Sequence, residues 1–101
     1  MTPVAARRAP VAVHTNGAAV VLELSDALDP DAGRALVAAV TAAVASTAER
    51  VDIDLRALVS WTDAGARSLV RCREICRDLP GGLHYRTGRG PGRDALLAAY
   101  G

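Results

Sequence analysis

Apolar and polar positions change period several times along the chain, and each change marks an element. Residues 11–14 (Val-Ala-Val-His) alternate enough for a short strand, and Asn16-Gly17 supplies the two-residue turn favoured in hairpins. Residues 18–24 are mostly apolar and predict a second strand. Asp29 before Pro30 is the arrangement of a helix start with proline at its first position. Leu36, Val40, Ala43, Val44 and Thr47 then recur at spacings of three and four, which predicts an amphipathic helix over residues 30–48. Residues 51–55 (Val-Asp-Ile-Asp-Leu) alternate apolar and acidic side chains and predict a third strand. A loop over 56–62 carries the only tryptophan, Trp61, and Asp63 reads as the cap of a second helix over 64–78. That helix has one stripe of Leu69, Cys72, Cys76 and Leu79, and Pro80-Gly81-Gly82 ends it. Residues 83–86 read as a fourth strand, 87–93 as a glycine-rich loop and 94–100 as a last helix. The order β-β-α-β-α-β-α is that of an α/β fold with an about four-stranded mixed sheet and helices packed on it. Residues 1–10, bounded by Pro3 and Pro10, predict a flexible N-terminal arm, which leaves 11–101 as one domain.

Composition fits a single small core. At 101 residues and 10.4 kDa the chain buries roughly 64% of its surface on folding. Alanine accounts for 21 residues, Phe is absent and aromatics reach 3%, so the core must come from Val, Leu and Ala, with backbones packed close together. All 12 basic residues are Arg and nearly balance 11 acids, for a net charge of +1. That balance argues against a polyanion-binding protein, so no nucleic-acid partner is expected. A catalytic lysine is excluded outright.

The longest charge-free helical run, residues 35–48, has 14 residues against the ~20 needed to cross a bilayer, so the chain is not expected to span a membrane. Arg7-Arg8 is followed by His14, Asn16 and Gly17 rather than by an apolar signal core. A cytoplasmic protein with two reduced thiols is expected. Cys72 and Cys76 share a helix face with leucines, and the only imidazoles, His14 and His84, lie on separate strands, so neither a metal nor any other cofactor is expected. Residues 88–92 (Gly-Arg-Gly-Pro-Gly) match neither a dinucleotide fingerprint nor a P-loop. Ser25, Ser46, Ser60 and Ser68 lack a nucleophile-elbow context, and no acid, base and nucleophile set is visible, so no enzymatic activity is expected. Arg67, Arg71, Arg73 and Arg77 spread around the second helix as a mixed solvated face, with an Arg-rich docking surface for an acidic partner as the rival reading.

Two segments, residues 22–29 (Leu-Glu-Leu-Ser-Asp-Ala-Leu-Asp) and 52–65 (Asp-Ile-Asp-Leu-Arg-Ala-Leu-Val-Ser-Trp-Thr-Asp-Ala-Gly), together with the element order, resemble the STAS family. The family includes bacterial anti-sigma factor antagonists, modules of stressosome and sulfate-transporter proteins, and cytosolic subunits of phospholipid-transport ABC systems. Asp26 stands where the first family motif has glycine, and Gly65 matches the glycine of the second. Thr62 stands in place of the motif aspartate, Asp63 in place of the first hydroxyl residue, and Ala64 where the antagonists carry their phosphorylated serine. The resemblance therefore implies a STAS-type interaction module, of bacterial type and acting in transcription regulation, whose regulatory hydroxyl is missing. Its implied partner-binding residues are Ser60, Trp61, Thr62, Asp63, Ala64, Gly65 and Arg67. The implied partner is a kinase-like anti-sigma factor or, alternatively, the ATPase of an ABC-type lipid transporter. Asp63 reads either as an ordinary cap or as a fixed mimic of a phosphorylated state. Trp61 reads equally as an interface anchor or as a plug for an alanine-rich core.

Overall fold

The computed structural model describes residues 10–101. The expected arm lies outside the described residues except for Pro10, an exposed bend. From there the elements are β1 (Val11–Asn16), β2 (Ala19–Leu28), α1 (Pro30–Val44), β3 (Arg50–Trp61), α2 (Asp63–Ile75), β4 (Leu83–Arg86) and α3 (Pro91–Tyr100). The sheet order is β1-β2-β3-β4, with β1 antiparallel to β2 and the other two pairings parallel. This is the mixed four-stranded sheet that the alternation of strands and helices predicts. Because β2, β3 and β4 run the same way, each feeds its following helix from the same end of the sheet, and the starts of α1, α2 and α3 gather there.

Strand alternation decides which side chains meet the helices. Val20, Leu22 and Leu24 of β2 and Val51, Ile53 and Leu55 of β3 join Leu36 and Val40 of α1 and Leu69 and Cys72 of α2 in one core. The residues between them on β3, Asp52 and Asp54, are only 2% and 4% exposed, and a carboxylate so placed needs a partner. Arg50 Nε donates to Asp52 Oδ1 (2.7 Å), and the Arg86 guanidinium reaches Asp52 Oδ2 from β4 (3.2 Å), which ties the two strands together. Arg56 closes over Asp54 from its own strand, with Nη2 2.7 Å from Oδ2.

The sequence pattern underestimates both central strands. β2 runs on past residue 24 to Leu28, and residues 56–61, expected as loop, continue β3 as far as Trp61. These extensions pair with each other, Ser25 with Ala57 and Leu28 with Trp61, across two register shifts. A bulge breaks the period of two, so the alternation that identifies a strand is lost where the strand continues. Asp26 sits at the irregularity with φ +64, the only non-glycine residue with positive φ among those described. The helices differ at their ends as well. α1 stops at Val44 rather than 48, with the Ser46 hydroxyl donating to the Ala43 carbonyl (2.6 Å), and α2 stops at Ile75 rather than 78. α3 starts at Pro91 rather than 94, behind a Gly90 cap at φ +117 that an L side chain would disfavour.

Candidate functional site: the start of the second helix

The chain leaves β3 at Trp61 and turns into α2 over one extended residue, Thr62 (φ −114, ψ 161). Thr62 Oγ1 accepts the Gly65 N–H at 3.0 Å, and its carbonyl accepts the Ala66 N–H at 2.8 Å. Thr62 is therefore the N-cap, and the expectation that Asp63 fills this role is corrected: Asp63 is the first helical residue. Threonine suits the position because its backbone is extended and its side-chain oxygen reaches the N–H three residues on. The Asp63 carboxylate is exposed and caps nothing among the described residues; it adds only its charge to the positive end of the helix.

A second helix start lies alongside. Asp29 Oδ1 accepts the Ala32 N–H (2.8 Å) and caps α1, as the Asp-Pro pair predicts. The two starts are joined through Leu28, whose carbonyl accepts the Thr62 N–H at 3.0 Å while Gly65 packs onto the same carbonyl. Gly65 is buried, and its place in the site is to let α2 approach β2.

Around this joint Ser60, Thr62, Asp63, Ala64 and Arg67 are exposed. Trp61 is half-buried and packs against the core, so most of its ring serves the end of the alanine-rich interior. Sequence reasoning missed Val59, which is 68% exposed beside Ser60. It lies in a segment read as loop, and it is the extra residue of β3 at the second register shift, between Leu58 paired with Asp26 and Ser60 paired with Ala27.

Two pairs of titratable groups lie away from this surface. The Arg56 guanidinium holds the Asp54 carboxyl below its ordinary 3.8, against the opposing effect of burial. Cys72 and Cys76 are both free and buried, and burial pushes the Cys72 thiol up to about 12 and that of Cys76 in the same direction. Among the described residues no group of three His, Cys, Asp or Glu side chains is placed to hold a metal, and no helix is long and apolar enough to cross a membrane.

Solved structures share this architecture. The anti-sigma factor antagonist SpoIIAA in its unphosphorylated form superposes over 86% of this chain and 81% of its own, with TM-score 0.69 and 14% identity. This is the STAS fold. A crystal structure of Mglu matches over 81% of this chain with TM-score 0.67 and 16% identity, and Mglu in its native form in 4.3 M NaCl matches over 78%. This chain spans only 21% and 26% of those Mglu chains, so the shared unit is a small part of them. No protein-family model and no curated protein sequence matches the chain.

Proposed function

We propose that this chain is a non-enzymatic regulatory module that works by binding a protein partner through the start of α2. The observation that carries the reading is the exposed surface made by Val59, Ser60, Thr62, Asp63, Ala64 and Arg67, on a helix start held rigid by the Thr62 cap and the Gly65 contact. It combines two apolar residues, one cation and one anion on a fixed backbone, which suits a protein surface better than a small ligand. The resemblance to anti-sigma factor antagonists makes a kinase-like anti-sigma factor the partner, in a bacterial cytoplasm.

Ala64 gives the module its regulatory character. It occupies the position at which the resemblance implies a phosphorylated serine, and it has no oxygen to accept phosphate. Asp63, relieved of capping by Thr62, keeps a permanent carboxylate beside it. The chain is a partner-binding module with no phosphate switch at this position. Incubation with the kinase-like partner and ATP, followed by peptide mass spectrometry, tests this: residue 64 stays unmodified, and binding is unchanged by the incubation. Efficient modification of Ser60 or Thr62 that abolishes binding would overturn it. An ABC-type ATPase captured in place of a kinase-like protein would assign the module to lipid transport instead.

A further inference from the structure

The end of α2 with the turn that follows it, and the edge strand β4 with the glycines that lead into it, enclose a groove that the start of α2 does not use. One cavity of about 570 Å³ is lined by Arg73, Cys76 and Arg77 on the helix side and by residues 81–84 on the strand side. A second, of about 250 Å³, continues from Arg73 past Tyr85 to Leu96 and Tyr100 of α3. The two share Arg73 and together follow the length of β4.

Three features of this groove point the same way. The first is the strand edge. Among the described residues β4 pairs with β3 alone, and the Val51 N–H donates to the Gly82 carbonyl (3.1 Å), which turns the main-chain groups of residues 82 and 84 toward β3. Those of Leu83 and Tyr85 face the opposite edge, and no hydrogen bond among the described residues engages them. With four residues, β4 offers about 13 Å of free edge. The second is charge. Neither Arg73 nor Arg77 takes part in an ion pair among the described residues, whereas Arg34, Arg50, Arg56 and Arg86 all do. Glu74 and Asp78 line a neighbouring depression that meets the groove at Arg77, and among the described residues no carboxylate lines the groove itself.

The third feature is rigidity. The Arg73 guanidinium lies 5.9 Å from the Tyr85 ring centre and 5.8 Å from that of Tyr100, and the two rings meet edge to face at 6.4 Å. Tyr85 is fixed by its hydroxyl, which donates to the Leu69 carbonyl at 2.7 Å. A cation stacked in this way gives up little freedom when it meets an anion, and Arg73 remains exposed.

We infer that this groove binds an extended acidic segment of a protein partner, which joins the free edge of β4 as a fifth strand while its carboxylates meet Arg73 and Arg77. The main-chain groups of Leu83 and Tyr85 supply the ladder, and Leu96 and Tyr100 supply an apolar pocket for an alternate side chain. The site is separate from residues 59–67, so its failure leaves the reading of the α2 start untouched.

The test is selection of a displayed library of random nonapeptides on the full chain, with the enriched peptide then synthesised. The expected result is enrichment of peptides alternating Asp or Glu with apolar residues. Amide exchange at Leu83 and Tyr85 should slow by about tenfold or more on binding, and Arg73→Glu with Arg77→Glu should weaken binding by about tenfold or more. Should the double variant lose its fold by circular dichroism, Arg77→Gln, which is exposed and off the tyrosine rings, replaces it, with a weaker but measurable loss. No enrichment, enrichment without acidic residues, unchanged exchange at Leu83 and Tyr85, or unaltered binding by the variants would overturn the inference.

Discussion

Gly65 rests on the carbonyl of Leu28 so closely that a β carbon would stand 2.0 Å from its oxygen and 3.1 Å from that of Asp29. Both atoms belong to backbone that is already committed, since the Leu28 carbonyl accepts the Thr62 N–H and the Asp29 carbonyl accepts the Gly33 N–H. Nothing there can yield without breaking a helix start. Gly65→Ala should therefore destabilise the domain by about 3 kcal/mol, measured by urea unfolding. A loss below about 1 kcal/mol would show that the two helix starts are not locked together.

Asp26 adopts φ +64 on β2 where it faces the second bulge of β3, in the place where the motif it resembles has glycine. Asp tolerates this region better than most residues but still carries a cost that glycine does not. Asp26→Gly should stabilise by about 0.5–1 kcal/mol, and Asp26→Val should destabilise by about 1–2 kcal/mol. Opposite signs in thermal unfolding check the strain directly, because Asp26 is exposed and has little packing to lose.

Cap and charge separate at the start of α2. Thr62→Ala should cost about 1 kcal/mol, because the Gly65 N–H loses its acceptor. Asp63→Asn should cost only about 0.3–1 kcal/mol, and less in high salt, since only a dipole interaction is removed. Reversal of that order in denaturant titrations would return the capping role to Asp63.

The sign of the acid dependence follows from Asp54. Its folded pKa lies below 3.8, first through the Arg56 hydrogen bonds, so the unfolded chain binds the proton more readily and stability rises with pH across this range. The contribution is fully present above about pH 4 and is lost as the pH falls through the folded value. Arg56→Gln should flatten this part of the curve of unfolding free energy against pH, leaving the other carboxylates to set the remaining slope.

Much of this fold was legible because its signals are local. Asp29-Pro30 announces the cap of α1, Asn16-Gly17 announces a hairpin whose two turn residues prove to be Gly17 and Ala18, with Asn16 still paired to Ala19, and the alternation in residues 51–55 separates Val51, Ile53 and Leu55 from the two aspartates. What escaped depends on tertiary structure. The extension of β3 to Trp61 exists because it pairs, through two bulges of its own, with the end of β2, and the choice of Thr62 over Asp63 as cap depends on where β3 ends. The exposure of Val59 and the burial of most of Trp61 follow from the same pairing, which is why Val59, and not Trp61, is the large exposed apolar side chain of the proposed surface.

The central claim is that binding resides in the start of α2. The most direct measurement captures partners from native lysate with the full chain and compares Val59→Glu, Arg67→Glu and, at the other end of the strands, Glu49→Arg. Each altered residue is exposed, and thermal unfolding confirms that each variant is folded. The account predicts one protein, identified by mass spectrometry as kinase-like, whose affinity falls about tenfold or more with Val59→Glu and with Arg67→Glu and is unchanged with Glu49→Arg. Equal affinity for all variants, or a loss confined to Glu49→Arg, would contradict it.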